Sequence, residues 1–242
     1  MKAKLARGEP IVAVGLWYPY PLIGEMLARE NVDVFVLDME HGPWDTARVM
    51  QLLSATAASP TAIVARPGTL DQSQVQLLFD LGIDGIMVGH CDNLATTRRA
   101  VALSKYAPLG NRGVGPTRTG AWLRDMHEYL RRANDSTLLW AQVEQRVPET
   151  ELEQMLTLPG VDALMIGQCD FASSMGHLTD WDHPDVVKAI DRTVAVARRL
   201  GKPFGVPGKK WKGQTIHLLA SDIGAMQKGL QATIAEWGLH SR

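Results

Sequence analysis

The feature that most restricts the fold is a recurrence of short apolar runs, rich in β-branched residues, separated by segments with helical spacing. The runs are residues 11–17, 32–38, 61–66, 85–89, 137–144, 163–167 and 203–206, with a weaker eighth at 221–226. They are nearly continuous in hydrophobicity, as parallel strands buried on both faces should be. Between them Leu22, Met26 and Leu27 form one helical stripe. Val49, Leu52 and Leu53 form a second, and Val186, Val187, Ile190, Val194 and Val196 a third. Gly82 and Gly201 stand where helices should end. Eight strands alternating with helices in 242 residues predict an α/β fold, a single (β/α)8 barrel spanning residues 1–242. No Gly-x-Gly-x-x-Gly follows a strand and no phosphate-binding Gly-Lys loop occurs, which removes the main reason to prefer an open nucleotide-binding sheet.

Composition narrows the function. With 25 basic and 26 acidic side chains, a net charge of -1 gives no long-range attraction for nucleic acid or an anionic membrane. No apolar stretch approaches the roughly 20 residues that span a bilayer, and the basic start lacks a signal-peptide core. Two cysteines, Cys91 and Cys169, are too few for a disulfide framework. The expectation is a cytoplasmic enzyme acting on a small molecule.

Barrel enzymes carry their reactive groups at the C-terminal ends of the strands. Those ends here are Trp17, then Asp38-Met39-Glu40-His41, Arg66, Gln142-Val143-Glu144 and Gly167-Gln168-Cys169-Asp170. Glu144 and Asp170 form the natural metal pair, suited by oxygen chemistry to Mg²⁺ or Mn²⁺, with Co²⁺ or Zn²⁺ also admissible. The plainer alternatives are a strand-end ion pair for Glu144 and a helix N-cap for Asp170, with the helix beginning at Phe171. Arg66 could fork onto a carboxylate or a developing enolate oxygen, or lie in a surface ion pair. His41 could serve as general base, hold a metal-bound water, or be a satisfied turn histidine.

Of the other histidines, His127 and His217 fall in expected helices, and His177, His183 and His240 in loops or at the terminus. His90-Cys91-Asp92 follows strand four at the barrel mouth, so Cys91 and Cys169 could face one pocket, although inert buried thiols are the commoner case. Among the tryptophans, Trp17 alone ends a strand, where it could wall a substrate pocket. Residues 106–119 form an irregular stretch too long for a simple connector, and such loops are often functional.

These stretches together resemble the HpcH/HpaI family of class II pyruvate aldolases. The likeness is carried by Gly15-Leu16-Trp17, Leu37-Asp38-Met39-Glu40-His41-Gly42-Pro43 and Val64-Ala65-Arg66-Pro67. It continues through Pro108-Leu109-Gly110-Asn111-Arg112-Gly113, Gln142-Val143-Glu144 and Gly160-Val161-Asp162-Ala163. The resemblance implies a phosphoenolpyruvate/pyruvate-type barrel and reversible cleavage of 4-hydroxy-2-oxo acids to pyruvate and an aldehyde. It implies a divalent cation on Glu144 and Asp170, Arg66 at the keto oxygen, and backbone N–H groups near Cys169 and Asp170 for the carboxylate. His41 becomes the acid/base, supported by Asp80 and Asp38, and Gln142 braces the metal shell. A homo-oligomer is also implied, commonly a hexamer in which the last helix packs on a neighbouring subunit.

The chain departs from the family at Gly89-His90-Cys91, at Gly167-Gln168-Cys169-Asp170 and at the eighth strand, after which little chain remains for a final helix. Lys209-Lys210-Trp211-Lys212 adds a basic patch, either a solvated loop or a grip on an anionic aldehyde tail. Oxaloacetate decarboxylation, a macrophomate-synthase-like use of the enolate, and an inactive barrel acting as a binding protein remain alternatives. A lyase for CoA esters lacks an additional segment for the CoA tail.

Overall fold

A computed structural model describes residues 1–239, so the expectation for His240 lies outside the described residues. Eight parallel strands form a barrel in the order β7-β6-β5-β4-β3-β2-β1-β8. They are β1 (Ile11–Leu16), β2 (Val34–Asp38), β3 (Ala62–Arg66), β4 (Gly85–Val88), β5 (Leu138–Val143), β6 (Ala163–Ile166), β7 (Phe204–Gly205) and β8 (Ile216–Ser221). The seam between β7 and β8 is bridged by Thr215 N–H to Phe204 O at 3.1 Å and Gly208 N–H to Leu218 O at 3.1 Å. Around the barrel run α1 (Lys2–Ala6), α2 (Pro21–Leu27), α3 (Thr46–Ala55), α4 (Gln72–Leu81), α5 (Leu94–Ser104) and α6 (Met126–Ser136). They are followed by α7 (Glu149–Thr157), α8 (Gln168–Ser174), α9 (Pro184–Arg199) and α10 (Asp222–Glu236). No helix among the described residues is long and apolar enough to cross a membrane.

Every residue of β2 to β6 is buried, which is why those strands read as continuous apolar runs. Alternate residues nevertheless separate into two layers. Ala13, Val34, Val36, Ala62, Val64, Met87, Leu138, Trp140, Ala163 and Met165 pack together as the barrel interior. Phe35, Leu37, Ile63, Ala65, Ile86 and Leu139 pack against the helices instead. The period of two, carried further up the inner rows of β2, β3 and β5, reaches Asp38, Arg66, and Gln142 followed by Glu144. Helix starts are capped by side chains where the sequence offers one: Asp45, Asp71 and Asn93 accept N–H groups of Arg48, Gln74 and Thr96. Gly82 ends α4 at φ +108°, a conformation that only glycine adopts without strain.

Five expectations are corrected. The eighth strand is Ile216–Ser221, not residues 221–226. Ser221 Oγ instead accepts the N–H of Gly224 at 3.0 Å and caps α10, and Asp222 sits favourably in that helix's first turn. Strand eight is only half-buried, so it lacked the continuous apolar signature, and His217 lies in it rather than in a helix. Far from lacking chain for a final helix, the described residues include the 15-residue α10 after β8. The α2 stripe is not a core stripe, since Leu22 and Met26 are exposed. Residues 106–119 lie at the N-terminal end of the barrel, between the end of α5 and α6. There Arg112 stacks on Phe79 (4.6 Å) and Tyr106 (4.5 Å). Within the chain that loop is an anchor, not part of the mouth.

Candidate active site

The backbone register sets Asp38 beside Arg66 on neighbouring strands. Arg66 forks onto Asp38, Nε to Oδ1 at 3.2 Å and Nη2 to Oδ2 at 2.6 Å, while Nη1 lies 3.1 Å from Glu40 Oε2. Both partners are buried, so this is an internal ion-pair cluster and not a surface pair. Asp38 Oδ1 also accepts the N–H groups of Glu40 (3.1 Å) and His41 (3.0 Å), so one carboxylate orients the arginine and shapes the loop that presents His41. Gly42 is required in that turn, because a Cβ there would meet Asp38 O at 2.3 Å and Trp17 O at 2.4 Å. His41 is about half exposed, with its ring 6.4 Å from that of Trp17.

Across the mouth, Glu144 is only 2% exposed and is held from three sides. Gln142 Nε2 donates to its Oε1, the His90 N–H donates to its Oε2 at 2.7 Å, and its own N–H donates to Asp92 Oδ1 at 2.7 Å. Burial raises the Glu144 carboxyl above its ordinary range, against the hydrogen bonds from Gln142 and His90, and the negative charge of Asp170 adds to the rise. Asp92 is raised for the same leading reason. A buried, mutually repelling carboxylate set of this kind is the donor chemistry that a divalent cation satisfies. His90, Asp92 and Glu144 bring one donor atom each within 4.8 Å of one another. Gly167 leaves room for the arrangement, since a Cβ there would lie 2.5 Å from Glu144 Oε1.

A cavity of about 490 Å³ opens between these two halves, lined by Trp17, Asp38, His41, Arg66, Gln142 and Asp170 among others. The first turn of α8 contributes Gln168, Cys169 and Asp170 to its wall. Asp170 is the third residue of that helix, so it is not the N-cap before Phe171; Gly167 occupies the cap position. Depressions of about 520 and 620 Å³ elsewhere on the surface hold none of these groups, and chemistry rather than size marks the mouth.

Asp80 is the sequence-expected residue that does not join. It lies near the end of α4, at the opposite end of the barrel, and pairs with Arg112 Nη2 at 3.3 Å. Helices that follow strands run back toward the N-terminal end, so within one chain this carboxylate is remote from His41. Cys91 does not share the pocket with Cys169. It is fully buried, 3.3 Å from Thr97 Oγ1, and burial pushes its thiol up to about 11. Lys209 is neither free nor simply solvated, because it pairs with Asp182.

Two residues at the mouth, Trp181 and Asp222, escaped sequence reasoning, while Glu40 and Asp92, already read at their strand ends, gain defined contacts. Trp181, from the α8–α9 connection, lines the cavity alongside Trp17 and is tethered by Gln168 Nε2 donating to its carbonyl at 3.1 Å. Glu40 links Arg66 to His90, whose Nε2 lies 3.6 Å from Glu40 Oε1. Asp92 holds the end of β5 through the Glu144 N–H. Asp222 accepts the N–H groups of Trp17 (3.1 Å) and Tyr18 (3.0 Å), fixing the first loop of the mouth from the end of the neighbouring strand β8. Neither Trp181 nor Asp222 carried a sequence signal for its place, since Asp222 lies 205 positions from Trp17 and Trp181 falls in an irregular connection.

A (β/α)8 barrel with charged groups gathered around a cavity at the C-terminal ends of its strands defines a barrel enzyme. The chain belongs to the HpcH/HpaI aldolase/citrate lyase family, whose model matches residues 14–205. It is similar to the 4-hydroxy-2-oxo-heptane-1,7-dioate aldolase of Shigella flexneri, 34% identical over 207 residues, covering 85% of this chain and 77% of that protein. Among solved structures it resembles an HpcH/HpaI aldolase/citrate lyase family protein from Burkholderia cenocepacia J2315. That likeness has a TM-score of 0.90 and 28% identity, covering 97% of each chain. Macrophomate synthase shares the fold at a TM-score of 0.83 and 18% identity, covering 97% of this chain and 86% of that one. The chain is thus an enzyme, a lyase of the aldolase type.

Proposed function

We propose that this enzyme is a class II pyruvate aldolase, reversibly cleaving 4-hydroxy-2-oxo acids into pyruvate and an aldehyde. The observation that carries the reading is the convergence of Arg66, His41 and Asp170 on one cavity, with the buried Glu144 directly behind its lining residues Gln142 and Gly167. Glu144 and Asp170 are the residues that would hold a divalent cation, with Gln142 positioning Glu144. The cation, when bound, supplies Lewis-acid stabilisation of the negative charge that develops on the former keto oxygen.

The chain's own groups supply the rest. Arg66, fixed by Asp38 and Glu40, presents its guanidinium edge to the same oxygen, and its orientation costs no reorganisation during the reaction. The substrate carboxylate is received by the unpaired N–H groups of the first turn of α8. His41, carried on the turn that Asp38 shapes, takes the proton from the 4-hydroxyl as the carbon–carbon bond breaks, and returns it in the synthetic direction. Trp17 and Trp181 flank the mouth, where the aldehyde half would lie. The relative's name points to dicarboxylic 4-hydroxy-2-oxo acids as the first substrates to try.

A homo-oligomer also fits. α10 leaves the barrel with Met226, Leu230 and Trp237 exposed, beside an apolar groove of about 690 Å³ lined by Val14, Ile23, Met26 and Ile223. Residues 1–242 would then act as a single barrel unit within the assembly.

The reading is tested by following pyruvate methyl protons in D₂O by NMR. Exchange with Mg²⁺ or Mn²⁺, abolished by chelator, is the expected result. Absence of exchange with every divalent ion would sink the enolate chemistry and favour a binding role for the barrel. Turnover of oxaloacetate without any aldehyde-dependent product would reassign the enolate to decarboxylation.

A further inference from the structure

His90 addresses the candidate metal ligand twice. Its backbone N–H donates to Glu144 Oε2 at 2.7 Å, and its ring Nδ1 lies 2.7 Å from the same oxygen. The residue achieves this at φ +49°, in the left-handed region that side-chain-bearing residues enter uncommonly. The backbone there is turned so that the main chain and the imidazole converge on one carboxylate oxygen. Two donors at right angles on one cation, at bonds of roughly 2.1 Å, stand about 3 Å apart. The observed separation of Nδ1 and Oε2 is close to that bite. A carboxylate oxygen that accepts one N–H keeps a second lone pair for a metal. Asp92 completes the cluster, with one donor atom of each of the three residues within 4.8 Å of the others.

We propose that His90 is a protein ligand of the cation, so that this chain binds its metal through an imidazole nitrogen as well as through carboxylates. The inference rests on the reading of Glu144 as a metal ligand and deepens it. Its chemical consequence is selectivity. Mg²⁺ is a hard ion that favours oxygen and gains little from imidazole, whereas Co²⁺ and Zn²⁺ gain a strong bond. The resident ion is therefore a first-row transition metal. The alternative role for His90 is that of a hydrogen-bond donor that only orients Glu144, which would strengthen binding of every ion alike.

Titration of the metal-free chain with Co²⁺, Zn²⁺ and Mg²⁺ by calorimetry, in the wild type and in His90→Gln, separates the two. The visible absorption of bound Co²⁺ provides a signature independent of activity. Loss of His90 is expected to weaken Co²⁺ and Zn²⁺ by about tenfold or more while moving Mg²⁺ by less than about twofold, and to shift the Co²⁺ bands. His90→Gly, which suits the positive φ and so protects folding, should regain Co²⁺ affinity and the original bands when free imidazole is added. Equal weakening of all three ions, unchanged affinities, or no response to imidazole would overturn the proposal while leaving Glu144 as a ligand. If Glu144→Gln binds every ion as the wild type does, the metal reading beneath it falls as well.

Discussion

At the N-terminal end of the barrel, Asp33, Asp84 and Asp162 repeat one arrangement. Each precedes an even-numbered strand and accepts the N–H of the second residue of the strand before it: Val12 at 2.8 Å, Ile63 at 2.7 Å and Leu139 at 2.8 Å. Each also donates its own N–H to that same residue's carbonyl, so strands are stitched in pairs before the ladder starts. At the C-terminal end, Asp38, Glu40, Glu144 and Asp170 repeat nothing. They meet a guanidinium, two imidazoles and one another, around open space. The same chemical group thus stabilises at one end, where backbone donors satisfy it, and is held reactive at the other, where burial and like charge leave it in need of a cation. Separation of the two ends along the strand axis lets chemistry vary without disturbing the stitches.

The sharpest way to break this contrast is to remove groups at the mouth. Glu144→Gln is expected to lower cation-dependent pyruvate exchange at least about 100-fold while leaving thermal unfolding nearly unchanged. Arg66→Met should lose similar activity and also destabilise by about 3 kcal/mol, since it leaves Asp38 buried without its partner. If denaturant curves showed equal stability losses for both, the mouth would be as structural as the base.

At the other end, Asp84→Ala should cost about 1–3 kcal/mol by leaving the Ile63 N–H unpaired, with exchange per folded molecule unaltered. A fall in exchange rate without loss of stability would contradict the division of labour.

The smallest effect concerns Lys105, fully buried near the same end and donating to Thr137 O at 2.6 Å. Burial lowers its pKa from 10.5 to about 7. Between those values the unfolded chain holds a proton that the native one has lost, so this residue makes stability rise with pH across the window and contributes no slope below it. Lys105→Met should flatten the stability profile between about pH 7 and 10 and leave the activity profile in place. Urea midpoints measured across that range would check it.

Much of the mouth was legible because the inner face of each strand is a local pattern. Val34 and Val36 lead to Asp38, Val64 to Arg66, and Trp140 to Gln142 and Glu144, so a row of buried residues ending in a charge marks a position aimed into the barrel. β8 escaped because α10 turns away and leaves it half-covered, which removes the apolar run. Asp80 came from the resemblance alone, and within one chain its place near the end of α4 sets it with Arg112 at the base. The paired stitches of Asp33, Asp84 and Asp162 were present as a recurring Val-Asp or Ile-Asp before a strand, but three dipeptides are too common a pattern to stand out.

The sequence by itself determined the barrel, its family and the inner rows that end in Asp38, Arg66, Gln142 and Glu144. These follow from side-chain alternation and apolar burial, which are properties of a few consecutive residues. Only the tertiary structure decided that His90 closes on Glu144 across 54 positions, that Trp181 lines the mouth, that Asp222 at the end of β8 clasps Trp17 at the end of β1, and that Asp80 pairs with Arg112 at the base. Such contacts depend on how loops of different strands are brought together when the sheet closes. No local periodicity encodes that closure.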